Sequence, residues 1–244
     1  MVFERNPDWW AAKLPTGIGT NNFDRVKITY YRDTTVAMEA FKAGQTDLRS
    51  ENVSKNWATA YDFPAIKSGS AIKRSFEHHL PNGIQGFAMN TRRPVFADRR
   101  VREAIGQMFD FEWSNKSLFY GAYSRTKSYF SNSDLAATGL PSAAEKALLA
   151  PWETKLPPEL YTAAFAPPVT DGSGNNREQI KRALELFKAA GWTIKDRKLV
   201  DASGKQMAFT VLLDEPSLER PTLPFVENLI KIGIDARVRN VDPS

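Results

Sequence analysis

The chain has 244 residues, 42% of them hydrophobic and 25% charged, a balance that suits a folded protein with a sizeable core and excludes collagen and low-complexity disorder. It contains no cysteine, which excludes thiol catalysis, disulfide scaffolds and cysteine-based zinc sites; this suits an oxidising compartment, although many cytosolic chains also lack the residue. The net charge is +5, from 33 Lys and Arg against 28 Asp and Glu, a balance that admits nucleic acid or an anionic surface as partner but is modest for this length.

No stretch approaches the roughly 18 uninterrupted apolar residues of a membrane span, and residues 1–15 lack the apolar core of a secretory leader. Polar turn residues from Glu4 to Asp8 with nothing before them, and an end at 241–244 directly after an apparent strand, predict a piece of a longer chain. Asn6-Pro7 favours a turn ahead of Trp9 and Trp10. Val26, Ile28 and Tyr30 alternate with Lys27, Thr29 and Tyr31, predicting a strand over 26–31. Asp33 or Thr34 then caps a short helix over 35–43, with Val36, Ala40 and Ala43 on one side, Ala37 and Phe41 beside them, and Gly44 as the stop. Residues 47–49 read as a short strand entering a polar, aromatic loop over 50–63, and weaker strand signals follow at 71–76 and 85–90.

The strongest helical signal covers 98–109, where Val101, Ala104, Ile105, Met108 and Phe109 follow the i, i+3, i+4, i+7, i+8 rule. A further helix is expected over 112–120, stopped by Gly121. From 122 to 175 the signal weakens: Pro141, Pro151, Pro157, Pro158, Pro167 and Pro168 leave only a helical patch at 143–149, so this stretch reads as a long ordered excursion or a mobile arm. A helix returns over 176–190 with a stripe of Ile180, Ala183, Leu184 and Phe187 and a stop at Gly191. Residues 198–200, a turn at 201–204 and residues 207–213 read as a hairpin. A helix over 222–232 should bury Phe225, Val226, Leu229 and Ile230, and Gly233 separates it from a last strand over 234–241. Helices and strands mix throughout, so the expected class is α/β, or mixed α+β, with no internal repeat.

Motifs that would carry chemistry fail one by one. His78 and His79 are adjacent rather than three or four residues apart, and on a strand they would face opposite ways, so contact with ligand or solvent is expected rather than a metal. The run 171–176 suggests a calcium loop, but Asn176 and Arg182 stand where Gly and Glu are required; a turn and a helix N-cap are expected instead. Gly17-Ile-Gly19 lacks the third glycine and the helix of a phosphate loop. Asp214 and Glu215 would do acid–base work only in a cleft. Arg99, Arg100 and Arg102 raise the alternative of a nucleic-acid-binding module, against the plainer reading of a solvated helix face. The helix over 177–188 is basic and amphipathic, but its narrow aliphatic stripe favours core packing over membrane docking.

Six segments in order carry a resemblance: Asn6-Pro-Asp-Trp-Trp10, Phe23-Asp-Arg-Val-Lys-Ile28, the helix–Gly–strand unit from Ala37 to Asp47, the strand ending at Asn90 followed by Asp98, Val101, Arg102 and Ala104 (a V-R-x-A helix), the stretch from Ala183 to Trp192, and Asn228 to Ile234. Together they resemble the extracellular solute-binding proteins of family 5, the peptide and nickel receptors of ABC importers. The wording around Glu51 to Trp57, Asn90 to Pro94, Phe109 to Trp113 and Tyr129 to Ser133 is most similar to the Yej-type oligopeptide-binding proteins. The resemblance implies lobe II of a type II (class C) periplasmic-binding-protein fold, a mixed sheet flanked by helices. It implies a single ligand-binding lobe over 1–244 with its irregular excursion at 122–175, and lobe I supplied by the same parent chain. It also implies a periplasmic receptor without catalysis, cofactor or metal, whose partners are a peptide and an inner-membrane ABC permease, not nucleic acid. In the V-R-x-A helix, Val101 and Ala104 would pack inward, and Arg102 would hold a carboxylate or carbonyl of the protein or touch ligand.

A peptide receptor needs a cation or helix N-terminus for the peptide carboxylate, aromatic floors for side-chain pockets and polar groups for the peptide backbone. Arg220 is the first candidate for the carboxylate, since dipeptide-binding relatives place an arginine between a strand and this helix; a salt bridge to Glu219 or Glu215 is the equal alternative. The loop after Asp47 offers Asn52, Lys55, Asn56, Trp57 and Tyr61, with buried packing as the other reading of Trp57 and Tyr61. His78, His79 and Gln85, flanking the strand that ends at Asn90, stand second.

Overall fold

The computed structural model describes residues 1–241; residues 242–244, the end of the chain beyond the last expected strand, lie outside them. The described residues form two compact units, one of 1–53 and 59–73, the other of 54–58 and 74 onward.

In the first unit, β1 (Val2–Glu4) pairs antiparallel with β2 (Arg25–Lys27), Phe3 opposite Val26. The strand expected over 26–31 is therefore short: Val26, Ile28 and Tyr30 are exposed, so the alternation has no buried face in this unit to hold it. Gly17 approaches the chain so closely that a Cβ would lie 2.0 Å from the Ala11 carbonyl oxygen; its glycine is a packing requirement rather than half of a phosphate loop. Helix α1 (Thr34–Lys42) starts as its sequence predicts, with Asp33 Oδ1 accepting from the Thr35 and Val36 amides at 2.9 Å each, and Gly44 beyond its end has φ +70°. Its buried residues are Met38 and Ala40, whereas Val36 is exposed. The face is rotated because Phe41 turns into a ring cluster with Tyr61 and Phe63 at 6.3 and 6.0 Å. Residues 47–49 form no strand.

The expected loop over 50–63 contains α2 (Ser54–Thr59), and α3 (Pro64–Ser68) follows with proline in its first turn and Gly69 in the left-handed region. Residues 71–76 and 85–90 form no strand. Their local signal is real, but a strand is defined by pairing, which no local pattern supplies.

The second unit is built on α5 (Arg99–Gln107), which α4 (Pro94–Ala97) precedes. Asp98 Oδ1 caps α5 by accepting from the Arg100 amide at 2.8 Å. Val101, Ala104, Ile105 and Met108 are buried as their periodicity predicts. They meet Ala183, Leu186 and Phe187 of α8 (Arg177–Ala189), with Phe225, Val226 and Leu229 of α9 (Glu219–Lys231) in the same core. Burying side chains such as Phe187 and Leu229 stabilises by about 1.5–3 kcal/mol each. Ile230, expected inside, is exposed, since the α9 stripe runs Thr222, Phe225, Val226, Leu229 and Ile230 falls past its edge.

The expected hairpin is corrected. β4 (Lys198–Val200) pairs antiparallel with β3 (Thr193–Lys195) instead, through a two-residue turn at Asp196 and Arg197, both with positive φ. The 201–204 turn leads only to one bridge, Val200 with Gln206. β5 (Ala208–Leu213) then pairs in parallel with β6 (Asp235–Asn240), Val211 opposite Val238, and α9 makes the crossover that a parallel pair requires. The strands among the described residues thus form three two-stranded sheets, two antiparallel and one parallel, mixed with helices.

α6 (Phe111–Ser117) ends sooner than expected, with Tyr120 and Gly121 both left-handed beyond it. The stretch 122–175 is largely irregular. It carries α7 (Ala143–Leu149), closed by a reciprocal Ser142–Glu145 cap, and two 3₁₀ turns at Ala150–Lys155 and Pro158–Tyr161. Both ends of this stretch are tied down. Asn115 exchanges two hydrogen bonds with the Tyr123 backbone at 2.7 and 3.1 Å. The Thr170 amide donates to Glu112 Oε2 at 2.9 Å, and Gln179 Nε2 donates to the Val169 carbonyl at 2.8 Å.

Candidate functional site

In the first unit Tyr61 sits beside a buried charge pair. The Glu51 side chain is 2% exposed and that of Arg49 is 13%, with Arg49 Nη2 at 3.2 Å from Glu51 Oε2. Tyr61 donates its hydroxyl to the same oxygen at 3.2 Å, and the Val53 amide donates to Glu51 Oε1 at 3.0 Å. Burial alone would raise the Glu51 carboxyl; the bonds from Val53, Arg49 and Tyr61 outweigh it and hold the group below its ordinary value. Burial, together with the adjacent Glu51 charge, pushes the Tyr61 phenol up. Tyr61 is thus half-buried, its ring against Phe41 and Phe63 and its hydroxyl fixed. Packing and a polar role coexist in it. Sequence reasoning singled out Tyr61 and missed Arg49 and Glu51; the available signal was opposite charges two residues apart on a segment read as extended, which places them on one face.

Asn52 is exposed just before α2. Lys55, Asn56 and Trp57 lie on α2, Lys55 exposed and the other two half-buried. Of the expected loop candidates, Lys55, Asn56 and Trp57 therefore lie on a helical turn.

In the second unit His78, His79 and Gln85 are exposed on the extended stretch between 74 and 93. His78 Nδ1 accepts from the Leu80 amide at 3.3 Å, and Asn132 Nδ2 donates to the carbonyls of His78 and Leu80 at 2.7 and 3.0 Å. His78 is held in place by the 122–175 stretch, an anchor without a sequence signature. Among the described residues no group of three or more His, Asp or Glu is arranged to hold a metal.

Arg220 is exposed in the first turn of α9. Neither expected salt bridge forms among the described residues: Glu215 accepts from the Ser217 hydroxyl at 3.1 Å and Glu219 from Asn240 at 3.5 Å. A guanidinium at a helix N-terminus adds to the positive end of the dipole instead of neutralising it, so both features attract an anion.

The arginines that suggested a phosphate surface have partners within the chain. Arg100 grips the Asp98 carboxylate and donates Nη1 to the Ala189 carbonyl at the end of α8 at 2.6 Å. The hydrogen bonds from Arg100 hold the Asp98 carboxyl below its ordinary value. Arg102 Nη1 donates to the Phe96 and Ala97 carbonyls at 2.8 and 2.9 Å, bracing the α4–α5 turn. Arg99 lies 3.7 Å from Glu159. Among the described residues no helix is long and apolar enough to cross a membrane.

The fold is shared with solute-binding proteins. NikA from Brucella suis, solved with Fe(III)-EDTA, superposes with a TM-score of 0.64 at 18% identity, covering 99% of this chain and 41% of that one. Residues 1–244 match the bacterial extracellular solute-binding proteins, family 5 middle region, and the chain belongs to that family. It is 45% identical over 245 residues to Escherichia coli YejA, covering all of this chain and 41% of that protein. It is 38% identical over 251 residues to an Agrobacterium fabrum protein described as a probable peptide-binding protein YejA, covering 100% and 40%. The chain thus spans about two fifths of the length of these relatives.

Proposed function

We propose that the chain is a ligand-binding lobe of the periplasmic receptor of an ABC importer, and that the receptor takes oligopeptides into a cleft between this lobe and lobe I of the same parent chain, then delivers them to the membrane permease. The observation that carries this reading is the family match along the whole chain, and the peptide-binding description of the Agrobacterium relative supports the ligand class. The mechanism is closure without catalysis: peptide binds the closed state better and shifts the population toward it. In this reading Arg220 and the first turn of α9 receive the peptide carboxylate. Trp57 and Tyr61 floor side-chain pockets, with Tyr61 positioned by Glu51. Asn52, Lys55, Asn56, His78, His79 and Gln85 meet the peptide backbone and polar side chains.

Calorimetry with a peptide library tests it on the parent chain and on this chain alone. The parent chain should bind, and this chain should bind weakly or not at all, because half of the site is missing. Arg220→Gln in the parent should weaken binding by about 10- to 100-fold, the loss expected for one charge-assisted hydrogen bond of roughly 1.5–3 kcal/mol. Amidating the peptide C-terminus should remove the difference between wild type and variant. Tight binding by this chain alone would overturn the two-lobe reading.

A further inference from the structure

The loop before α8 was expected to end in an N-cap, yet the Asn176 side chain makes no capping bond. It is turned into a crevice of about 240 Å³ between that loop, the start of α6 and the outer face of α9. Asn176 is 4% exposed, and neither its Oδ1 nor its Nδ2 has a hydrogen-bond partner among the described residues. Asp110, 5% exposed, lines the same crevice. Its Oδ1 is occupied by the Trp113 amide at 3.0 Å and the Thr170 hydroxyl, while its Oδ2 is buried and unpartnered.

Two hard oxygens, one of them charged, are therefore buried in one crevice with no protein partner among the described residues, a state that calls for a bound guest. The loop is shaped to this place. Gly174, at φ +80°, lies where a Cβ would approach the Trp113 indole to 3.1 Å, so a side chain there would push the loop, and Asn176 with it, away from α6. The other charged groups on the crevice are Glu227 and Lys231, both exposed, and Lys231 Nζ donates to Asn228 Oδ1 at 3.0 Å. The crevice thus carries two carboxylates against one ammonium, and one negative charge is left over.

From this arrangement we propose that the crevice is a site for a small monovalent cation, an alkali ion or an ammonium group, held by Asp110 Oδ2 and Asn176 Oδ1. Hard cations take oxygen ligands of this kind, and a residual charge of one matches a single positive charge. Asn176 Nδ2 is left to donate to water in the cation's shell. The site ties the 171–176 loop to α6 and is independent of peptide binding.

Thermal unfolding of the chain in chlorides of sodium, potassium, ammonium and tetramethylammonium, at equal ionic strength, tests this. At least one of the three small cations should raise Tm over tetramethylammonium by about 3–6 °C once it is in tenfold excess over its Kd. The salt that does so separates an alkali ion from an ammonium guest. Asp110→Asn keeps an oxygen to cap α6 and removes the charge, and it should abolish the rise, as should Asn176→Ala; Asp171→Asn, outside the crevice, should keep it. Equal Tm for the wild-type chain in all four salts, as for a crevice holding only water, would overturn the proposal, and so would a rise that persists in Asp110→Asn. Should either variant fail to fold, crystals of the wild-type chain grown in rubidium chloride decide: an anomalous peak at Asp110 Oδ2 supports the site and its absence overturns it.

Discussion

Glu51 carries a charge almost fully out of water, and four groups around it make that tolerable: the Arg49 guanidinium, the Tyr61 hydroxyl, the Val53 amide and the Phe41–Phe63 aromatic wall behind Tyr61. Because folding lowers its carboxyl, the stability it contributes is fully present above the ordinary carboxylate range and is lost as pH falls through the lowered value. Glu51→Gln should therefore destabilise by about 1–3 kcal/mol at neutral pH, and its Tm should converge on that of the wild type in acid. A gap that stays constant with pH would mean that shape, not charge, is what Glu51 provides. Tyr61→Phe removes the hydroxyl's bond to Glu51 and keeps the ring, and it should cost at least about 0.5–1.5 kcal/mol. At this scale the sequence displayed the aromatic residues and hid their support. Tyr61 announces itself by type, whereas the value of Arg49 and Glu51 comes from burial, which two exposed-looking charges do not advertise.

Among the elements, those with a local signature were legible. The α5 stripe, the Asp33 cap and the glycine stops at Gly44, Gly191 and Gly233 stand where the sequence places them, whereas the α8 stripe buries Ala183 and Phe187 as expected but Leu186 in place of Ile180 and Leu184, which are half-buried. The strands were less legible. Asp196-Arg197 makes a hairpin turn without the glycine that usually marks one, and the more conspicuous 201–204 turn drew the expected hairpin to the wrong pair. What redirects β5 is long-range: it pairs with β6, and Phe209 and Val211 pack against the core. Two glycine stops that look alike in sequence should also respond differently. A Cβ on Gly44 meets open space, so Gly44→Ala should cost only the left-handed penalty of about 1–2 kcal/mol. A Cβ on Gly233 would lie 2.6 Å from the Leu199 amide nitrogen and 2.7 Å from the Arg197 carbonyl oxygen, adding an overpacking cost of about 1–3 kcal/mol. Chemical denaturation of the two variants should show Gly233→Ala with clearly the lower midpoint.

Across the whole molecule, the apolar core is concentrated in α5, α8, α9 and the strands beside them, while the 122–175 stretch leaves Tyr129, Leu135, Leu148, Trp152 and Phe165 exposed. Opening free energies should follow that division. Hydrogen exchange should be slowest in α5, α8 and the β5–β6 pair and fastest in 122–175, with protection in that stretch restricted to its tied ends at Tyr123 and Thr170; uniform protection would contradict it. The sequence by itself determined the mixed class, the main amphipathic helices and the family, because these depend on period and the order of short motifs, all properties of neighbouring residues. Only the tertiary structure decided which strands pair, that Arg100 and Arg102 serve the protein's own carbonyls, that Arg220 stands apart from Glu215 and Glu219, and that Asp110 and Asn176 share a crevice. Each of these is a meeting of residues distant in sequence or a matter of burial, and burial is set by what the rest of the chain packs against.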